Sequence, residues 1–370
     1  MTAKQGELFI DCDIHQRIKS PKDFYPYLPR VYREDIDQFG LRLTTTGGGG
    51  YLNGGAGGYR ADSYPDDGTI AGSEFDLLKE QLLDSYNIEY GILGGQDVSP
   101  VSTLPDADYA AAVAAAYNDW MIEHWIERDD RLKGLAVIAL QNPKKAADEI
   151  RRSGKHPGIV GALVQNGARF PYGQRYYDPI FEALAEMNLP FCIHIGGEGS
   201  GVNGQPTPAG YPSYYIENRQ SRAMGCQAHI ASMIFEGLFD RYPNLQVVFI
   251  EGGFIWLPTF LWRLDSDWKA LRNQTPWVQK PPSDYVFDHI RFTSQPMEQP
   301  EPQRRLLSVF EWAKAEKTLM FATDYPHWDF DSPELSLPAL PDAMRKRIML
   351  ENAREFFKLP ARQLADAVAD

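Results

Sequence analysis

Four short apolar runs in this 370-residue chain end in residues able to hold a metal ion or move a proton. The first ends in Asp11-Cys12-Asp13-Ile14-His15, where a two-residue side-chain period puts Asp11, Asp13 and His15 on one face. The second is Phe191-Cys192-Ile193-His194, followed by Gly196-Gly197. The third is Phe249-Ile250-Glu251, and the fourth Ala322-Thr323-Asp324, followed by Tyr325-Pro326-His327. Buried carboxylates and imidazoles are costly unless they are paired or bound to a cation. Asp, His, His, Glu and Asp converging on one opening therefore point to a divalent cation held by nitrogen and oxygen donors. Singly, each position is weak. A histidine after a strand is ordinarily a hydrogen-bonded core residue, and an aspartate there ordinarily caps the next helix. The signal lies in their joint occurrence.

Elements that could bring them together follow from an alternation of apolar runs with helical patterns, the mark of βα units and a parallel sheet. The runs are Leu8–Ile14, Glu89–Leu93, Leu132–Ile138, Ile159–Val164, Pro190–Ile195, Gln246–Ile250, Ile290–Thr293 and Thr318–Ala322. Most are continuously apolar, as strands covered on both faces should be. Between them, Asp106–Arg128 carries apolar residues at helical spacing. Asn142-Pro143 and Asp178-Pro179 offer a capping side chain with proline at the first helical position. Further helices are expected over Ala223–Phe239, Leu257–Arg272, Pro302–Lys314 and Asp342–Phe357. Eight strands with intervening helices predict a (β/α)8 TIM barrel formed by one domain over 1–370. Its active site would lie at the C-terminal strand ends. No GxGxxG follows the first run, which counts against a dinucleotide-binding sheet.

In DCDIH, NLPFCIHIG, FEGLFDRYPNLQVVFIEGGFIWLP and LMFATDYPH the chain resembles the amidohydrolase-related family, over nearly its whole length. The family's aminocarboxymuconate-semialdehyde decarboxylase-like branch contains metal-dependent TIM-barrel hydrolases and decarboxylases. The resemblance implies one divalent metal ion, Zn or Mn, held by Asp13, His15, His194 and Asp324. Decarboxylases of that family often end strand six in a histidine that helps to protonate an aromatic ring, with a glutamate three residues later. Here Glu251 and Phe254 occupy those positions. Hydrolysis is therefore the expected chemistry. The metal would bring the pKa of a bound water from about 15.7 toward ~7, and Asp324 would ligate and accept a hydrogen bond from that water. Glu251 or His229 would transfer the proton while the hydroxide attacks a carbonyl of a small aromatic or carboxylated substrate. The runner-up is a non-oxidative decarboxylase (carboxy-lyase) or hydratase. A non-catalytic barrel serving as a binding protein is the alternative from another class.

Several residues keep two readings. His229, in CQAHIASMIFEG, is either a proton shuttle or a helix histidine bonded to a neighbour. His327, Trp328 and Arg222 are candidates for substrate binding, with loop bonds and surface ion pairs as the plainer readings. Tyr172, Tyr214, Tyr215 and Trp256 are candidates to stack on an aromatic substrate. The glycine-rich insertion Thr44–Tyr59 after strand one is either a lid or a surface loop. The tail from 360 to 370 should be peripheral. Cys12, Cys192 and Cys226 read as buried free thiols of a reducing compartment. A net charge of −13 and a pI near 5.1 argue against nucleic acid or an anionic membrane as partner. The N-terminus has no secretory pattern, so a cytoplasmic enzyme is expected. The aromatic-rich segments Trp256–Trp268 and Pro276–Tyr285 are candidates for a homodimer interface.

Overall fold

The computed structural model describes residues 7–43, 58–95 and 97–362. Most of the glycine-rich insertion, and the tail beyond 362, lie outside them. Eight strands form one parallel sheet in chain order: β1 Phe9–Ile14, β2 Ile88–Leu93, β3 Leu132–Val137, β4 Ile159–Gln165, β5 Phe191–His194, β6 Val247–Ile250, β7 Ile290–Thr293 and β8 Leu319–Met320. The seam between β8 and β1 is bridged by backbone hydrogen bonds. Cys12 N donates to Phe321 O (3.0 Å), Asp324 N to Asp13 O (3.1 Å) and His15 N to Tyr325 O (2.8 Å). The result is the expected (β/α)8 barrel.

Register fixes which side chains share a rim. His194 is opposite Gln165 of β4 and Ile250 of β6, so Glu251 emerges one residue beyond the level of His194. Ile14 is level with Leu93 on β2 and bridges Tyr325 across the seam. Strand interiors are almost wholly buried, continuous with one apolar core.

The helices match their capping signals in part. Asn142 caps Pro143–Ser153, its side chain accepting from Lys145 N at 3.2 Å. Asp178 caps nothing; it is the first residue of Asp178–Met187 and pairs with Arg241 at 2.8 Å. The helix expected over Ala223–Phe239 spans Arg222–Phe235 and breaks at Gly237, whose φ is 72°. A glycine tolerates this left-handed backbone without a Cβ clash. Sequence reading missed Arg30–Phe39 and Tyr215–Gln220, both within βα connections. All three cysteines are free and buried. Among the described residues no helix is long and apolar enough to cross a membrane.

Candidate metal centre

The four strand ends meet. Asp13, His15, His194 and Glu251 each offer a donor atom, and these atoms all lie within 4.8 Å of one another. His15, Glu251, Asp324 and His327 form a second, overlapping set on the same criterion. His15 Nε2 is 2.9 Å from Asp324 Oδ1 and 3.4 Å from Asp13 Oδ1; His194 Nε2 is 3.5 Å from Asp13 Oδ2. Burial pushes the His15 pKa down to about 3, more than Asp13 and Glu251 raise it. For His194, burial is outweighed by the charges of Asp13 and Glu251, which raise its pKa to about 10.

These atoms need a partner that the described residues do not supply. Both oxygens of Asp13, both ring nitrogens of His15, His194 Nε2 and Asp324 Oδ2 are buried without a hydrogen bond. Leaving such groups unsatisfied costs about 1–3 kcal/mol each, more for charged ones. Oxygen and imidazole donors converging on one point fit a divalent cation. His194 is already oriented for one. Its Nδ1–H donates to Ile195 O at 2.7 Å, which turns Nε2 toward the cluster, where a cation would replace the proton that the carboxylates hold on it.

The surroundings brace this arrangement. Asp11 does not join the donors. Its carboxylate accepts from Asp13 N (3.1 Å), Thr323 N (3.0 Å) and Thr323 Oγ1 (2.5 Å), tying β1 to the chain leaving β8. Burial raises its pKa to about 7, partly offset by those Thr323 bonds. Asp324 and Glu251 both have a left-handed backbone, with φ 62°. A non-glycine residue there costs on the order of 1–3 kcal/mol and persists where its surroundings over-determine it. Here Asp324 N is bound to Asp13 O, and Glu251 N donates to Thr293 Oγ1 at 3.0 Å. Burial raises the pKa of both carboxyls.

The remaining expected residues divide. His327 belongs to the cluster: its Nδ1 is 2.5 Å from Asp324 Oδ1 and its ring is 4.7 Å from that of His15. Arg222 reaches the centre, but one guanidinium nitrogen is spent on Glu251 Oε1 at 2.7 Å. Trp328 is 47% exposed at the rim, its backbone N donating to Gly58 O. Tyr172 is fully buried and Trp256 donates to Gly252 O, so both serve packing. His124 and His289 are peripheral, bonded to Tyr27 and to Leu245 O.

His229 does not fit the shuttle role. Its Nδ1 accepts from Tyr172 N (3.1 Å), its Nε2 faces Asn166 O (2.6 Å), and its ring stacks on Tyr172 at 4.0 Å. Both nitrogens are spent on backbone, and burial lowers its pKa to about 4. His229→Ala should cost about 3 kcal/mol or more of stability, because it orphans two buried backbone groups. Turnover per bound metal should stay near wild type. Denaturant unfolding beside metal-normalised activity checks this; unchanged stability with a ~10²-fold slower enzyme would restore the shuttle.

One contributor escaped sequence reading. Tyr59, the last residue of the glycine-rich insertion, stacks on His327 (5.5 Å, 26° between planes), with Arg17 4.8 Å from its ring centre. An aromatic residue ending a glycine run was the available signal.

Residues 10–359 match the family model described as amidohydrolase. The chain is 28% identical to gamma-resorcylate decarboxylase of Rhodococcus jostii over 76% of its own length and 87% of the relative's. It is 25% identical to 2-amino-3-carboxymuconate-6-semialdehyde decarboxylase of Dictyostelium discoideum, over 71% and 73%. Its fold matches 5-carboxyvanillate decarboxylase of Novosphingobium aromaticivorans, solved with manganese and 4-hydroxy-3-methoxy-5-nitrobenzoic acid. The TM-score is 0.68 at 23% identity, covering 96% of this chain and 97% of that one. With the model spanning nearly the whole chain and the barrel closed around buried donors, the chain belongs to the amidohydrolase family.

Proposed function

We propose that this protein is a metal-dependent, non-oxidative decarboxylase of small hydroxylated aromatic acids. This reverses the order of the two enzyme readings drawn from sequence. The observation that carries it is the alignment, over about three quarters of the chain, with gamma-resorcylate decarboxylases. Asp13, His15, His194 and Asp324 are the proposed ligands of one divalent ion, manganese or zinc. Bound there, the ion would supply positive charge to help bind an anionic substrate and to stabilise negative charge as it develops.

The chain's own residues supply the proton path. Glu251 accepts the proton of a hydroxyl ortho to the carboxylate and delivers it to the ring carbon that bears the carboxylate. The bond from that carbon to the carboxylate then breaks, its electron pair returning to the ring, and carbon dioxide leaves. The phenolate regains its proton from solvent. His327 holds Asp324 through their 2.5 Å contact, and Tyr59 backs His327.

Hydrolysis is the second reading, favoured by the carboxylate of Glu251 where decarboxylases of the family often carry an imidazole. Manganese-loaded protein incubated with a panel of ortho-hydroxybenzoates in deuterium oxide separates the two. Decarboxylation releases carbon dioxide and leaves one deuterium at the vacated ring carbon. No carbon dioxide from any member, with ester or amide cleavage instead, would return hydrolysis to first place.

A further inference from the structure

Glu251 belongs to both overlapping donor sets, so its carboxylate stands within reach of the cation that the other four residues are proposed to hold. Its backbone cannot decide whether it ligates, being fixed by Thr293 and by the left-handed φ. The side chain decides, and Arg222 grips it. Arg222 Nη1 binds Glu251 Oε1 at 2.7 Å, while Oε2 lies 3.5 Å from His194 Nε2. The pair is well shielded, with side chains 15% and 6% exposed. Arg222 is itself anchored: its carbonyl accepts from Asn166 Nδ2 at 3.2 Å, and its Nη2 is 3.5 Å from the Tyr215 hydroxyl. Charge points the same way. Three carboxyl groups, Asp13, Asp324 and Glu251, converge on the site, and the guanidinium of Arg222 is paired with Glu251. Removing the guanidinium would leave Glu251 with the cation as its best partner.

We propose that Arg222 is a positioning residue that holds the Glu251 carboxylate back from the metal, keeping a would-be fifth ligand available as a proton acceptor. This rests on the ligand set and the role of Glu251 proposed above. The test is Mn(II) binding to metal-stripped full-length protein, followed by the electron paramagnetic resonance signal of free Mn(II). Arg222→Gln should bind Mn(II) about tenfold more tightly, a change of the size that groups around a ligand shell commonly produce. Its turnover should fall, with the Michaelis constant little changed. Arg222→Lys should lie between wild type and Arg222→Gln in both. Placing Arg222→Gln in a Glu251→Gln background should abolish the gain.

Unchanged or weaker Mn(II) binding by Arg222→Gln would overturn the proposal, as would an equal gain in the Glu251→Gln background, which would be a mere charge effect. A raised Michaelis constant with unchanged Mn(II) affinity would make Arg222 a substrate anchor instead. Should Arg222→Gln not fold, Arg222→Lys carries the same test, and no gain there overturns it. The binding readout needs no substrate. Failure to find decarboxylation leaves it standing, whereas wild-type protein that binds no Mn(II) defeats the ligand set itself.

Discussion

His194→Ala protein is expected to bind Mn(II) at least about 100-fold more weakly than wild type and to lose almost all activity. Changes in groups that only orient a ligand cost about 10–100-fold in metal affinity, and this variant removes a proposed ligand outright. The Ile195 carbonyl fixes the ring so that Nε2 faces the cluster, and no other described side chain makes a hydrogen bond to that nitrogen. The loss should appear in stability as well. A ligand that binds only the folded state stabilises it by about 2.7 kcal/mol at a free concentration 100 times its dissociation constant. Wild-type protein should therefore melt higher with added Mn(II) and lower with a chelator, whereas His194→Ala should melt alike in both. Full metal occupancy and normal turnover in the variant would remove His194 from the ligand set.

How much of this centre was legible in sequence depended on whether local pattern or long-range contact decided each feature. The strand ends were readable because apolar runs covered on both faces leave their first polar residues at the barrel mouth. Asp13, His15, His194, Glu251 and Asp324 were all found this way. The length of β8 was not readable. The run Thr318–Ala322 shrinks to Leu319–Met320 because later backbone donors go elsewhere. Phe321 N bonds Ile348 O, Ala322 N bonds Ser294 Oγ and Thr323 N bonds Asp11. That use of Ile348 coincides with a widened turn over Arg347–Glu351, which divides the helix expected across Asp342–Phe357. His229 was ambiguous for the same reason. Its partners, Tyr172 N and Asn166 O, lie 57 and 63 residues away, beyond any local spacing rule. A separation of 29 residues likewise hid the grip of Arg222 on Glu251, although each is a candidate residue in its own right.

Glu251→Gln gives the second large effect, because it tests the group on which the proton path depends. The amide keeps the shape of the side chain and its ability to bond Arg222, but it no longer accepts a proton. With Arg222 holding the native carboxylate off the metal, Mn(II) affinity should change little while turnover falls by ~10²-fold or more. Deuterium incorporation at the vacated ring carbon should slow in parallel, since the same group delivers that proton. The pH profile adds an independent sign. A residue that must start deprotonated loses function as pH falls through its pKa, so it shapes the acidic limb of the rate profile. Removing it should flatten or displace that limb and leave the alkaline limb in place. If Glu251 only bonds Arg222 and spaces the loop beyond β6, the amide can do the same. Turnover would then drop a few-fold with the acidic limb unmoved. The proton path would have to run instead through Asp324 and His327, whose 2.5 Å carboxylate–imidazole contact lies in the same mouth.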